Sequence, residues 1–430
     1  MKEKAVFSEN TKENIYHCIK CGLCMAHCPV YKEVLSEEAT PRGKVQLSRQ
    51  LSEGNLKMSK EVKNAFFSTC LLCGACVSNC PSGVHGSNLY SGVRWRAVQK
   101  YGMDWKKKVM FQLLAKKWRM SKSASLGKWA RKMFGGKWIE SRMNAGALNV
   151  ARIPKVNEKE FSDMVPEVTK PEGKARAKVL YFHGCATNYL YAGIGTAVVD
   201  VLKKMGVEVI TPREQTCCGM PIFMSGDREA SIQNIRENLR LFAREDIDAV
   251  VCDCATCSDG LKKEYPHLLL DLRQLGEDVT DEELKAAELL AKKVKDVTVF
   301  IDEHKDWLPA MKENGKKVRV TYHDPCHLVQ GQKITAQPRN ILKAIPGVEY
   351  VEMPGAGDCC GGGGSFQVEH AETSRKITKR KVDNIHSTKA QILATCCPGC
   401  TLTISNHLDP SLNMRVMHPV QLLQMALSGK

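Results

Sequence analysis

The sequence predicts a multi-domain α+β chain: a helical N-terminal part followed by a pair of α/β units. Three observations predict it. The length of 430 residues exceeds the ~100–200 residues usual for one domain, so several cores are expected. The 20 cysteines fall into four groups, at 18–28, 70–80, 185–257 and 326–400. The third and fourth groups repeat one another, with apolar runs alternating with charged helical stretches. Hydrophobic residues make up 43% of the chain, which excludes a wholly disordered protein. No apolar run is long enough to span a bilayer. The opening Met-Lys-Glu-Lys lacks the apolar core of a secretory signal. The expected location is cytoplasmic, free or peripheral on the cytoplasmic face of the membrane. That many thiols without an export signal argue against a disulfide scaffold and for metal ligation or catalysis.

The first two groups read CIKCGLCMAHCP and CLLCGACVSNCP. Both are C-x2-C-x2-C-x3-C-P, the two-cluster bacterial ferredoxin run, in which three cysteines hold one [4Fe–4S] cube and the fourth crosses to the other. Three closely spaced thiolates wrap three iron corners through a tight turn, and the fourth corner needs a ligand from elsewhere. This assigns Cys18, Cys21, Cys24 and Cys80 to one cubane, and Cys70, Cys73, Cys76 and Cys28 to the other. Pro29 and Pro81 end each run and redirect the chain. Zinc also takes four thiolates, but two full copies with the trailing proline favour iron–sulfur. The spacer between the groups is helical in pattern (PRGKVQLSRQLSEG), so residues 1–95 are expected to form a helix-rich ferredoxin domain.

Residues 96–177 are expected to form a basic, Trp-rich helical connector and a linker. The formal net charge of the chain is +16, and residues 91–142 carry 15 Lys/Arg against 2 acids, a local +13. The same stretch holds Trp95, Trp105, Trp118, Trp129 and Trp138. Basic residues interleaved with aromatics suit nucleic acid, an anionic membrane surface or an acidic protein. A redox chain has little reason to read nucleic acid, so docking on a membrane or a partner protein is expected. The competing reading is a solvated helical face with tryptophan in the core. The piece IPKVNEKEFSDMVPEVTKPEGKARA reads as the linker.

The C-terminal half is a repeat. Cys185 matches Cys326, Cys217-Cys218 match Cys359-Cys360, and Cys254 and Cys257 match Cys397 and Cys400. In each unit an apolar run (VLYF, VRVTY) leads into the first cysteine. A second (VEVI, VEYVE) precedes the C-C-G, and a third (DAVVC, AQILA) precedes C-x2-C. These are expected strands of a parallel α/β layer, in units at 178–265 and 319–430. A helical bridge is expected at 266–318, where Thr280 and Glu283 have the spacing of a capping box. Five cysteines per unit is one more than zinc or a cubane cluster needs. Gly219 and Gly361, lacking Cβ, would let the backbone approach a bulky inorganic core. Cys252 and Cys396 match no partner and read as buried thiols.

At these motifs the chain resembles the cysteine-rich, C-C-G-domain iron–sulfur proteins. That family includes the glycolate oxidase and lactate dehydrogenase iron–sulfur subunits, lactate-utilisation proteins and heterodisulfide reductase subunits. HDPCHLVQGQKITAQPRNILKAIPGVEYVE and DCCGGGGSF are similar to the first branch, and QTCCGMPIFMSGD to the lactate-utilisation branch. The resemblance implies a further [4Fe–4S] cluster at Cys185, Cys217, Cys218, Cys254 and Cys257. It implies another at Cys326, Cys359, Cys360, Cys397 and Cys400. In the heterodisulfide reductases such clusters are non-cubane, and the complete five-cysteine sets depart from the glycolate oxidase branch toward them.

The glycine run 361–364 lacks the Lys-Ser/Thr of a phosphate loop, and AGIGTAV lacks the third glycine of a dinucleotide fingerprint. With no flavin or nicotinamide site in this chain, FAD is expected in a partner subunit only, because clusters take single electrons and cannot accept a hydride. The expected function is the electron-transfer subunit of a flavin-dependent glycolate or D-lactate dehydrogenase, relaying electrons to a quinone or other acceptor. The alternative is a heterodisulfide reductase-like catalytic subunit that reduces a disulfide. His323, Asp324 and His327 flank Cys326 and either donate hydrogen bonds to cluster sulfur or fix the strand-to-helix turn. His17, His27 and His183 read as packing or surface residues.

Overall fold

A computed structural model describes residues 7–68, 70–134, 144–312, 315 and 317–429. In the N-terminal part, helices Glu9–Tyr16, Pro41–Ser52, Lys60–Ser68 and Gly86–Tyr101 close on a core that includes Ile15, Val45, Phe66, Leu89 and Tyr90. Pro41–Ser52 starts where the sequence puts Thr-Pro: the Thr40 side chain accepts from Gly43 N at 2.9 Å, and Pro41 follows at a position that needs no donor. Helix Gly86–Tyr101 runs through the expected boundary at 95, so ferredoxin part and connector share one helix. The connector continues as helices Trp105–Leu114 and Lys117–Phe134. Strands β1 (Asn144–Ala145) and β2 (Leu148–Asn149) then form a hairpin, which leans on the second C-terminal unit through Ala147 N to Gln367 O (2.7 Å) and Asn149 N to Asn406 Oδ1 (2.8 Å).

Strand β3 (Val168–Thr169) edges the first large sheet, antiparallel to its neighbour. The other strands are β4 (Ala177–Phe182), β5 (Val207–Ile210), β6 (Ala249–Cys252) and β7 (Val294–Asp296), all parallel, in the order β3-β5-β4-β6-β7. The second sheet has β8 (Val318–Tyr322), β9 (Val348–Tyr350), β10 (Ile392–Ala394) and β11 (Arg415–Met417), all parallel, in the order β11-β10-β8-β9. Without β3, the two sheets have one topology. Every apolar run read as a strand is one. The stretch 266–318 differs from a purely helical bridge, because it supplies β7, the counterpart of β11.

In an open parallel sheet, loops leaving the carboxyl ends of the strands form the crevice where ligands sit. Cys185 follows β4, Cys217 and Cys218 follow β5, and Cys254 and Cys257 follow β6. The second unit repeats this after β8, β9 and β10. One contiguous apolar core runs through both units. The C-terminal helix Pro419–Ser428 ties them together by packing on Ala192–Lys204 of the first and Ala336–Ala344 of the second. Among the described residues, no helix is long and apolar enough to cross a membrane.

Candidate metal centre

The two N-terminal cysteine runs share one backbone device. Lys20 and Leu72 are left-handed (φ 60° and 51°), as are Gly22 and Gly74 (φ 83° and 74°). Each glycine opens a short helix, Leu23–His27 or Ala75–Ser78. The double reversal turns successive thiols toward one point. Cys18, Cys21, Cys24 and Cys80 line one cavity; Cys28, Cys70, Cys73 and Cys76 line the next. Each cavity thus gathers three cysteines of one run and the last cysteine of the other, and Cys76 stands between the two, lining both. The amides of Tyr31, Leu72 and Val84 donate to the sulfurs of Cys28, Cys70 and Cys80, each at 3.4 Å. Burial pushes the Cys28 thiol up to about 11, so a cation must offset the charge if it ligates as thiolate.

Sequence reasoning passed over Lys44, which lines the second cavity. It is 1% exposed, held by Ala39 O (2.8 Å) and Glu38 O (3.1 Å). Burial lowers its pKa, and the nearby Cys70 and Cys28 oppose that. The available signal was a lysine on the buried face of an amphipathic helix, beside Pro41, Val45 and Ser48.

The C-C-G thiols converge as well. Cys185 Sγ lies 3.7 Å from Cys217 Sγ, and Cys218 meets both Cys217 and Cys257, whose hydrogen bonds hold its thiol below the usual range. In the second unit Cys360 Sγ lies 3.6 Å from Cys400 Sγ, and Cys359 meets Cys326. Cys254 contacts Cys397, joining the units. Cys73 contacts Cys326 and Cys359, joining the second ferredoxin cavity to the second unit. All of these thiols are free. The loops are held by their carbonyls: Asn238 Nδ2 donates to Cys217 O (3.0 Å), Tyr265 OH to Cys218 O (3.0 Å) and Thr378 Oγ1 to Cys360 O (2.8 Å).

Gly219 and Gly361 are left-handed (φ 76° and 86°), but the close approach they permit differs from the expected one. A Cβ at Gly361 would meet Thr378 Oγ1 at 2.6 Å and Ser374 O at 2.9 Å; at Gly219 it would meet Asn234 and Ser231. The constraint comes from the following helix, which backs the loop. The glycine run has a similar steric cause, since a Cβ on Gly363 would lie 2.3 Å from Leu71 of the ferredoxin loop. AGIGTAV is helix interior, with Gly195 against Phe161.

Of the residues flanking Cys326, Asp324 takes a bidentate ion pair from Arg339, both bonds 2.7 Å, and so fixes the turn. His327 Nδ1 meets Thr256 Oγ1 of the first unit at 3.0 Å. His323 lies within 4.8 Å of the Cys360 and Cys400 sulfurs. His183 packs edge-on to Phe161 and Tyr181, its Nδ1 on Gly184 O at 2.8 Å, and burial lowers it to about 3. His17 and His27 are exposed. Cys252 and Cys396 are fully buried, and Tyr322 OH donates to Cys396 Sγ at 3.4 Å. In the basic stretch Trp95 is core, with Arg228 over its ring. Trp105, Trp118 and Trp129 are 69%, 56% and 53% exposed. Trp138 lies outside the described residues.

Residues 179–262 and 320–405 match the cysteine-rich domain family, and residues 14–84 match the 4Fe-4S dicluster domain. The chain is 29% identical to the probable glycolate oxidase iron-sulfur subunit of Bacillus subtilis, over 99% of this chain and 97% of that one. It is 30% identical to lactate utilization protein A of Oceanobacillus iheyensis, over 59% of this chain and 98% of that one. It is 27% identical to a component of the dihydromethanophenazine:CoB–CoM heterodisulfide reductase of Methanosarcina mazei, over 95% of this chain and 93% of that one. Two of these relatives are named as subunits of an oxidase or a reductase, and the first of them as an iron–sulfur subunit. A dicluster domain ahead of two cysteine-rich domains, with relatives covering almost the whole chain, leads to one assignment: the chain belongs to the cysteine-rich, C-C-G-domain iron–sulfur protein family.

Proposed function

We propose that this chain is the iron–sulfur subunit of a flavin-dependent dehydrogenase of glycolate or D-lactate, passing single electrons from an FAD-containing partner to a quinone or other acceptor. The observation that carries the reading is a succession of neighbouring thiols from the ferredoxin part through both C-C-G units. Cys73 meets Cys326 and Cys359; Cys360 meets Cys400; Cys400 meets Cys397; Cys397 meets Cys254. Cys254 meets Cys257, and Cys218 with Cys217 leads on to Cys185. Cys18, Cys21, Cys24 and Cys80 would hold one cubane, and Cys28, Cys70, Cys73 and Cys76 the other. Each five-cysteine set would hold a further cluster. When bound, clusters at these thiols supply one-electron carriers. The chain itself buries most of the C-C-G thiols, directs amides at the sulfurs of Cys28, Cys70 and Cys80 and places the Lys44 side chain at the cavity of Cys28, Cys70, Cys73 and Cys76.

The relatives named for glycolate oxidase and lactate utilization favour a 2-hydroxy acid. The exposed tryptophans and basic residues of helices Trp105–Leu114 and Lys117–Phe134 suit peripheral docking on an anionic membrane face, where a quinone is available. The test is anaerobic purification of the tagged native protein with its partners, assayed for flavin and for cluster bleaching by glycolate or D-lactate. Co-purified flavin with substrate-driven bleaching is the expected result; a flavin-free preparation inert to both acids would overturn the reading.

A second reading, reduction of a disulfide, is favoured by a cavity of about 480 Å³ that opens onto Cys73, Cys326 and His327. It offers a substrate access to the junction of the ferredoxin part and the second unit. Thiol–disulfide turnover by a flavin-free preparation would select it.

A further inference from the structure

The two C-C-G units share topology and all five cysteines, yet carry different residues beneath the thiols, directly after the matched tyrosines. In the offset that matches Cys185 to Cys326, Phe182 matches His323. The strands agree: Tyr181 pairs with Val251 and Tyr322 with Ala394, so Phe182 and His323 are both the residue after the matched tyrosine. Phe182 is apolar and packs edge-on to Phe242, ring centroids 5.2 Å apart. His323 is fully buried, and neither ring nitrogen has a hydrogen-bond partner of good geometry. What the imidazole faces is sulfur, with Cys360 and Cys400 within 4.8 Å. Its backbone is fixed by His323 N to Ala394 O at 3.0 Å. The neighbouring carboxylate, Asp324, is taken by Arg339, which leaves the ring to the thiols. A fully buried imidazole without a partner would destabilise the fold, so the facing sulfur is the group that satisfies it.

We infer that His323 is a positioning residue that donates an N–H···S hydrogen bond to the Cys360–Cys400 side of the second C-C-G cluster, holding that cluster at a higher reduction potential than the first. The inference rests on the reading that each five-cysteine set holds a cluster. Reduction adds one electron and negative charge to the sulfurs, and a donor aimed at them favours the reduced form. Phe182 offers no donor to the first unit. The asymmetry makes the second unit, the one in contact with Cys73, the place where an electron rests.

The experiment is an anaerobic, EPR-monitored redox titration of the full-length holoprotein, with iron per chain measured alongside, for wild type, His323→Phe, His323→Gln and Phe182→His. His323→Phe is expected to lower one midpoint by about 59 mV, a tenfold change in the oxidised-to-reduced ratio for one electron, with iron retained. His323→Gln, which keeps a donor, restores part of the shift. Phe182→His raises a different midpoint. Pulsed EPR of ¹⁵N-histidine-labelled protein should show weak nitrogen coupling that His323→Phe removes. Unchanged midpoints with full iron in His323→Phe overturn the inference. If His323→Phe loses iron or fails to fold, an unchanged midpoint in Phe182→His overturns it in turn. A nitrogen coupling of direct-ligand strength would replace the hydrogen bond by ligation. C-C-G units free of iron in wild type would instead overturn the reading on which the inference rests.

Discussion

Cys80 is the residue on which the crossed arrangement turns. It closes the second run in sequence, yet it lines the cavity of Cys18, Cys21 and Cys24. Cys80→Ser is therefore expected to lose or convert the cluster of the first run while the spectrum of the second survives. Iron per chain with EPR reads this; loss of the second cluster instead would mean that each run fills its own four corners. A buried carboxyl gives a prediction in pH. Asp296 is fully buried, accepts from Thr298 N at 2.9 Å, and burial raises its pKa to about 6, against ~3.9 unfolded. Its folded pKa lies above its unfolded one, so its contribution is full below about pH 4 and is lost as pH rises through 6. Asp296→Asn keeps the acceptor oxygen without the charge. It should raise the melting temperature at pH 8, by on the order of 1–3 kcal/mol of stability, and leave it unchanged at pH 4. An equal change at both pH values would assign the effect to packing. Ten C-C-G thiols were legible as matched spacings, because a ligand set leaves its offsets in the chain. His323 was read only as a flank of Cys326, because the sulfurs it faces come from other loops, which spacing cannot bring together.

Elements were legible where the local pattern is strong. The runs VLYF, VEVI and AQILA are strands, and Thr280 with Glu283 forms the capping box their spacing implies, at 3.2 and 3.1 Å. Strand β7 was less so, at three residues. It is followed at once by VTVFI, a strand-like run that is helical, with the Asp296 side chain capping its start. Helix Gly86–Tyr101 shows how an element ties the parts together. Its Arg94, 7% exposed, donates to Met224 O of the first C-C-G unit at 2.8 Å, to Cys70 O at 2.6 Å and to Phe66 O at 3.3 Å. Arg94→Met fills the space but strands buried carbonyls on both sides of the joint. The expected cost is about 2–4 kcal/mol, read as a lower first unfolding midpoint under anaerobic denaturation. The Cys70 cluster should be lost earlier than the C-C-G clusters; simultaneous loss at the wild-type midpoint would show that the joint does not depend on Arg94.

At the scale of the molecule, the meeting of Cys254 with Cys397 depends on how two separately folded units dock, and no local pattern encodes that. Charge is different, since it accumulates visibly along the chain, and the structure gathers the excess onto the connector helices. Lys107 is paired with Glu369 at 2.5 Å, and Lys117 donates to Arg213 O, so those two are structural. Lys106 lies over the ring of the exposed Trp105, and Arg119 and Lys122 over that of the exposed Trp118; Lys108 and Lys116 belong to the same stretch of chain. Basic side chains near an anionic surface contribute about 1 kcal/mol each, and interfacial tryptophans add an apolar part that salt does not screen. Changing the five to Gln should abolish co-sedimentation of the holoprotein with phosphatidylserine vesicles at 0.15 M salt, a strength at which screening sets in over about 8 Å. Trp105→Ala with Trp118→Ala should weaken the binding that remains at high salt, where charge contributes little. Both variants should keep their iron and their cluster spectra. If the Gln variant still sediments in a salt-sensitive way, the docking face lies elsewhere. If wild type ignores vesicles but binds the flavoprotein partner, and the Gln variant does not, the same basic face belongs to the complex and not to the membrane.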